Sequence, residues 1–368
     1  MDIERGRTLS TRPSKEVAAA RKVNFFDKVR RDLGNVVKSA GEQILEFEGP
    51  IYDIGESHGQ DESSLDEEAR DIVNKLLDKT FPHIDGVRRF ELRPINVVRL
   101  GDEKGTQKLY FIIDEIDGTT NTKRELSMRM FLRDLMPRGG VCIAISESES
   151  LADIQVGAVF AMDRRTTYTA SHIGGGQFHS YQGNERVMDD VHDKQRGDDK
   201  TRIMSVGYSN RNRINKGLIE YALFNIAELV TYGDGVRSSS MDIINIFRNA
   251  FDAYVDLRAA WPAVTETLIK DSNGQNIVKE NAMLQAYDIS AVLPIVLGLG
   301  FYVSDARGNQ ISQYDLNSAI HIVISRNAEL HERILETIAP LVDPSNQDLI
   351  EQAVKKDVAL IKKLFKDK

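Results

Sequence analysis

The chain has 368 residues, enough for one large domain or two apposed ones with real cores, and its 41% apolar and 28% charged residues are ordinary for a soluble globular fold. Its net charge of -8 argues against a nucleic-acid backbone as the main partner, but not against a phosphorylated small molecule, because bound cations can reverse the local field. The single cysteine, Cys142, rules out an intrachain disulfide framework, fits a reducing cytoplasm, and lies in the apolar run 141–145, where a buried thiol is expected.

Residues 1–22 are polar and mixed in charge, without an apolar signal core, and read as a leader. No segment has the apolar length of a membrane span. From 23 to 48, Phe25, Phe26, Val29, Leu33, Val36, Val37, Ile44 and Leu45 recur at helical spacing. Ser64-Leu65-Asp66-Glu67 reads as a capping box opening a second helix, with Ile72, Val73, Leu76, Leu77 and Phe81 as its buried stripe and Pro82 as its stop. Apolar runs at 95–98 and 109–113 flank a polar turn at Lys104-Gly105, which predicts an antiparallel pair. Further strands are expected at 140–146, 155–160 and 167–170, before Gly174-Gly175-Gly176 breaks the pattern. The polar stretch 180–201 is a candidate boundary between two halves, 23–200 and 201–340.

The second half predicts a strand at 203–206, helices near 218–229 and 241–250, and a strand at 253–257. Asn273-Gly274 between apolar runs is a hairpin signal. A helix is expected from Asp288 to about 299, kinked at Pro294, and residues 341–368 read as a lysine-rich helical extension. No internal repeat is present.

The sharpest feature is Ile112-Ile113-Asp114-Glu115-Ile116-Asp117-Gly118-Thr119-Thr120. An apolar strand delivers two carboxylates, then a glycine and two hydroxyls. Carboxylates at i and i+3 can meet at one point if the chain bends between them, and such oxygen-rich sites suit hard cations such as Mg²⁺. If Thr119 and Thr120 open a helix, its first N–H groups make an anion site beside the metals. The competing reading is a capped turn, which needs only one aspartate.

The segment resembles the Asp-Pro-Ile-Asp-Gly-Thr signature of the inositol monophosphatase and fructose-1,6-bisphosphatase superfamily. Tyr287-Asp288-Ile289-Ser290-Ala291 resembles its late aspartate at a helix start, and Asp305-Ala306-Arg307-Gly308 follows at the family's distance. Ser238-Ser239-Ser240-Met241-Asp242 resembles the serine-rich helix start, residues 251–256 the Asp-Ala-Tyr strand, and 322–331 the closing strand and helix. The resemblance spans 23–339 and implies an α/β (α+β) layered αβαβα sandwich. It further implies a Mg²⁺-dependent phosphomonoesterase with two or three ions, a small phosphorylated metabolite as substrate, and a cytoplasmic homodimer with neither nucleic acid nor membrane as partner.

Carried over residue by residue, Asp114 would bridge two metals, Asp117 and Asp288 would complete one site, and the Ile116 carbonyl would serve another. The family's upstream glutamate would be Glu91 or Glu103. Folding the hairpin about Lys104-Gly105 brings Glu91 near the end of the Asp114 strand, so Glu91 is preferred. Glu91 and the Thr119 hydroxyl would orient the attacking water. Gly118, Thr119 and Thr120 would hold the phosphate. Ser238, Ser239 and Asp256 would line the substrate, although a helix cap explains Ser238 and Ser239 as well, and a solvated strand end Asp256.

Departures are visible. Glu115 stands in the place of the family's proline, Tyr287 in that of its tryptophan, and 259–285 is an insertion. Arg211, Arg213 and Lys216 could meet a second phosphate or simply be solvated. The implied substrate is inositol monophosphate or a related sugar phosphate, with fructose 1,6-bisphosphate or a 3′-phosphonucleotide as alternatives. A non-catalytic phospho-ligand-binding or interaction protein on the same fold is the alternative of another class.

Overall fold

A computed structural model describes residues 15–57, 60–81, 89–93, 97–100, 109–128, 136–173, 176–186, 203–207, 232–234, 238–260, 283–346, 348–349, 352 and 356. The expected helix at 218–229, the cluster Arg211, Arg213 and Lys216, Glu103, the Asn273-Gly274 hairpin and most of the C-terminal extension lie outside them.

Helix α1 (Lys15–Leu45) starts eight residues before the apolar periodicity does, so the last part of the expected leader is helical. Lys22 in that part reaches Glu147 Oε2 at 2.6 Å. A two-stranded hairpin, β1 (Asp53–Ser57) and β2 (Gln60–Ser63), leads into α2 (Ser64–Thr80). The α2 cap sits one residue before the expected one. Ser63 is the N-cap, and Asp66 Oδ2 accepts from both its N–H (2.8 Å) and its hydroxyl (2.7 Å). Capping thus occupies Asp66.

Eight strands form the larger sheet: β3 (Arg89–Arg93), β4 (Val97–Leu100), β5 (Leu109–Asp117), β6 (Gly140–Ser146), β7 (Ile154–Ala161), β8 (Thr166–Ile173), β9 (Gln177–Gln182) and β10 (Glu185–Arg186). They run in sequence order, every neighbour antiparallel. Pairing of β4 with β5 matches the expected hairpin arms, with Val97 opposite Ile112. β9 and β10 carry this sheet to Arg186, inside the stretch 180–201 that reads as the boundary.

The smaller sheet has the order β12-β11-β13-β15-β14, from β11 (Ile203–Val206), β12 (Tyr232–Asp234), β13 (Ala253–Asp256), β14 (Tyr302–Asp305) and β15 (Ile322–Ser325). β11 runs parallel to both of its neighbours, whereas β15 is antiparallel to β13 and β14.

Strand alternation sorts the core into layers. Phe111, Ile113, Ile143, Val156 and Phe160 face α1 and α2 through Phe26, Leu33, Val37 and Ile44. Ile112, Cys142, Val159 and Tyr168 face the opposite way. There they meet α4 (Ser239–Phe247), α5 (Ala286–Ile289), α6 (Leu293–Gly298) and the inner residues Tyr254, Ile322 and Ile324 of the smaller sheet. Its outer residues Met204, Val255 and Val323 are covered by α7 (Ala328–Val342) through Leu330, Ile334 and Ile338. Helix α3 (Thr119–Met128) follows β5. The result is the αβαβα sandwich that the resemblance implies.

One expectation is corrected. The helix after Asp288 is two short helices, because Pro294 starts α6 rather than kinking a continuous helix. Cys142 is buried as expected. Among the described residues, no helix is long and apolar enough to cross a membrane.

Candidate active site

On a regular strand, positions i and i+3 point to opposite faces. β5 avoids this with a bulge: Asp114 lies opposite Cys142 and Asp117 opposite Gly140, so three steps on β5 match two on β6. The extra residue restores a common side for the two carboxylates. Asp114 accepts from the Ile116 N–H inside the bulge. The chain then turns at Gly118, whose φ of +83° suits glycine. A Cβ there would stand 2.9 Å from Ser238 Cβ and 3.3 Å from Arg138 O.

Gly118 O accepts from the N–H groups of Asn121 and Thr122, at 3.0 and 3.1 Å, and so starts α3. The helix opening expected at Thr119-Thr120 is present, with its first N–H groups at the end of β5. The Thr119 hydroxyl donates to Ile116 O at 2.8 Å, which leaves its oxygen as an acceptor. Behind this turn, buried Glu125 accepts from Arg138 N (2.7 Å) and Arg138 Nε (2.9 Å), tying α3 to the start of β6.

The α4 N-terminus closes the site from the other side. Ser238 Oγ donates to Asp117 Oδ2 at 2.9 Å and the Ser240 N–H to the same oxygen at 2.6 Å. The Ser240 hydroxyl donates to Asp288 O at 3.3 Å, linking α4 to α5. Asp288 Oδ2 accepts from the Gln285 N–H at 2.8 Å.

Asp114, Asp117 and Asp288 interact electrostatically within the buried centre. Burial, then the charges of Asp117, Asp288 and Glu115, hold the Asp114 carboxyl well above the usual range. Burial also raises Asp117, against the lowering effect of its Ser240 and Ser238 donors. Asp288 is pushed up to about 7, mainly by burial, with the Gln285 N–H opposing. Three half-buried carboxyls that repel one another form an all-oxygen donor set that a hard divalent cation would neutralise, so the chemistry of the residues fits Mg²⁺. Among the described residues, no three acidic, histidine or cysteine side chains are gathered tightly enough to hold one ion. The hydrogen bonds above hold the Asp117 and Asp288 carboxylates toward their own donors.

The other sequence candidates are distributed as follows. Glu115 is buried and points toward α2, where Arg70 Nε lies 3.6 Å from its Oε1. Glu91 lies on β3 at the irregularity between Phe90 and Leu92. Through β4, that register is level with Tyr110 and Phe111, two strands away from β5. The expectation that Glu91 stands at the end of the Asp114 strand is therefore corrected: the chain doubles back between β3 and β4 instead of continuing straight. Thr120 lies in the first turn of α3. Ser239 bonds the Tyr254 hydroxyl. Asp256 is 0% exposed, which excludes a solvated strand end. Tyr254 Oη donates to it at 2.9 Å, and Arg258 Nη2 at 2.6 Å.

Sequence reasoning missed Ser240 as a holder of Asp117 and missed Arg258. The second was signalled by Asp-x-Arg at a strand end, a spacing at which a carboxylate can accept from the backbone two residues on.

Three likenesses to known proteins accord with this architecture. A fructose-1,6-bisphosphatase/inositol-1-monophosphatase of Methanothermobacter thermautotrophicus is 23% identical over 323 residues, covering 86% of this chain and 94% of its own. The extragenic suppressor protein suhB of Bartonella henselae is similar in structure, with a TM-score of 0.56 at 16% identity over 84% of this chain and 98% of its own. An IMPase/NADP phosphatase solved with Mg²⁺ and phosphate has a TM-score of 0.53 at 14% identity, over 86% and 96%. The family model described as the inositol monophosphatase family matches residues 27–343, and the chain belongs to that family.

Proposed function

We propose that this chain is a Mg²⁺-dependent phosphomonoesterase acting on a small phosphorylated metabolite, with inositol monophosphate or a related sugar phosphate as the first substrate class. The observation that carries the reading is the β5 bulge, which brings Asp114 and Asp117 to one side immediately before the helix start at Gly118-Thr119. The IMPase/NADP phosphatase that shares the fold holds Mg²⁺ and phosphate together, the pairing this arrangement suits.

In this reading Asp114, Asp117, Asp288 and the Ile116 carbonyl hold two or three ions. Bound Mg²⁺ supplies charge neutralisation and makes a water nucleophilic near neutral pH. Gly118, Thr119 and Thr120 present N–H groups to the phosphate oxygens. Thr119 Oγ1, an acceptor once its proton is given to Ile116 O, and the upstream glutamate, Glu91 or Glu103, orient the water for in-line attack. Ser238 and Ser239 border the substrate, Ser238 also holding Asp117, while buried Asp256 acts through Tyr254 and Arg258. The protein is taken to work as a cytoplasmic homodimer, without nucleic-acid or membrane partners.

A second substrate reading, fructose 1,6-bisphosphate, is favoured by the name of the Methanothermobacter relative. A 3′-phosphonucleotide completes the panel. Purified protein is assayed for phosphate release from these esters with Mg²⁺, with chelator, and as Asp114→Asn. Chelator-sensitive release that Asp114→Asn abolishes is the expected result. No Mg²⁺-dependent release from any ester would leave the non-catalytic binding protein as the better account.

A further inference from the structure

Helix α3 has ten residues, too few to hold itself in water, so its direction depends on what grips it. Of its buried residues Asn121, Thr122, Glu125 and Leu126, Leu126 alone is apolar, and it joins the core beneath α1 and α2. The rest of the grip is polar. Glu125, with 2% of its side chain exposed, accepts from the Arg138 N–H at 2.7 Å through one oxygen and from Arg138 Nε at 2.9 Å through the other.

Arg138 belongs to the segment that backs the turn before α3. A Cβ on Gly118 would stand 3.3 Å from the Arg138 carbonyl oxygen. One residue on, a Cβ on Gly139 would fall 2.2 Å from Thr122 Oγ1 and 2.9 Å from Asp117 O. Gly139 O accepts from the Met162 N–H at 3.0 Å, and Gly140 pairs with Asp117 across β5 and β6. Thr122 Oγ1 donates to Gly118 O at 3.2 Å. The contacts close a ring: from Gly118 along α3 to Glu125, across to Arg138, and back to the flank of Gly118.

We propose that Glu125 is a positioning residue of the phosphate cradle: by gripping the Arg138 backbone it sets where the first N–H groups of α3 and the Thr119 hydroxyl stand at the end of β5. This role presupposes the phosphatase reading of the site. The backbone bond carries it, because the N–H that Glu125 holds is in the same residue as the carbonyl beside Gly118. The Nε bond shields that contact from the solvent that reaches 49% of the Arg138 side chain. Both partners of Glu125 are donors. A glutamine there accepts from one of them and turns its own NH₂ group toward the other, while the packing of Leu126 is kept.

The test pairs two measurements on the full chain. Steady-state kinetics in excess Mg²⁺ use inositol monophosphate, fructose 1,6-bisphosphate or a 3′-phosphonucleotide, whichever is cleaved fastest, with inorganic phosphate as inhibitor. Amide hydrogen exchange follows residues 119–122 in the free protein. Glu125→Gln should lower kcat/KM on the order of tenfold, weaken phosphate inhibition in step, and speed exchange of the Asn121 and Thr122 N–H groups that bond Gly118 O. Arg138→Ala keeps the backbone bond and should show a smaller change in all three. A merely structural Glu125 would lower the melting temperature and leave kcat/KM, phosphate inhibition and exchange at parent values. That result, or equal losses in Arg138→Ala and Glu125→Gln, overturns the inference. Where Glu125→Gln does not fold, Glu125→Asp, one methylene too short to reach both donors, carries the same readouts. A parent that releases phosphate from no ester takes down the phosphatase reading and this inference together; an active parent with indifferent variants takes down only this one.

Discussion

Ser238 Oγ donates to Asp117 Oδ2 at 2.9 Å, joining residues 121 positions apart in the chain. The same oxygen accepts from the Met241 N–H at 3.3 Å and is thereby the N-cap of α4. One hydroxyl both starts a helix of the central layer and aims a carboxylate of the larger sheet. With the Ser240 N–H on the same carboxylate, the positive end of α4 faces Asp117.

Replacing Ser238 by alanine removes the cap and the Asp117 bond together. The expected loss is about 2–4 kcal/mol of stability, the sum of a lost cap and a lost charge-assisted bond. Urea unfolding measures it, and Ser238→Thr should recover most of it. If Ser238→Ala and Ser238→Thr unfold alike, the hydroxyl is not what holds Asp117.

Gly118 meets two independent obstacles to substitution. Its φ of +83° strains any L side chain, and an added Cβ would fall 2.9 Å from Ser238 Cβ. Gly118→Ala should therefore cost about 1–3 kcal/mol and impair phosphate release, because relieving the clash pushes the α3 start away from α4. Thermal unfolding and steady-state kinetics together check this. Full stability in Gly118→Ala would mean that the turn relaxes freely and is not a rigid part of the cradle.

How much of this was legible in the sequence depends on the range of each signal. Apolar periodicity marked α1 and α2 because a single face of each is buried, a continuous apolar run marked β6 because both of its faces are buried, and Asp114-Glu115-Ile116-Asp117 marked the acidic centre because its residues are local. The bulge that brings the carboxylates together was legible only as a requirement that the chain bend. Which residue takes up the bend depends on pairing with β6. The break between α5 and α6 was half legible: Pro294 signalled a disturbance, but a proline at a helix start reads like a proline in a kink until the preceding turn is known. Glu91 was misplaced because a hairpin arm was assumed to be straight, although Pro94 and Asn96 are local signals of a break. Glu115 beside Arg70 and Asp117 beside Ser238 are tertiary pairings across α2 and α4, which no periodicity reports.

The position of β3 makes the upstream glutamate a matter for experiment. Glu91→Gln and Glu103→Gln keep size and remove charge, so the residue that orients water should lower kcat by about 10²-fold or more with little change in KM. The other should be near neutral. The loss should fall on one of the two alone, and the variant that shows it identifies the residue; parent-like kcat in both variants would remove an upstream glutamate from the reaction.

His331 links acidity to stability away from the site. Its Nε2 lies 2.9 Å from Ser304 Oγ, and that hydroxyl gives its own proton to Asp305 O at 2.8 Å, so the imidazole donates through Nε2 and leaves Nδ1 as a buried acceptor with no partner among the described residues. Burial pushes its pKa down to about 4. An unfolded histidine titrates near 6.5. Above about pH 6.5 both forms are neutral, and the full contribution is present. As the pH falls toward 4 the unfolded chain takes up a proton that the folded one refuses, so stability drains away until the folded imidazole also protonates. His321, lowered mainly by burial as well, acts in the same direction. Burial-raised Asp288, with a pKa of about 7, and Asp114 act in the opposite sense over the same range, so the histidine effect is read as a difference: between pH 7.5 and pH 5 the melting temperature of the parent should fall further, or rise less, than that of His331→Gln, which cannot titrate, even if that variant melts lower at both pH values. Equal changes in the two proteins would show that the acid sensitivity lies elsewhere.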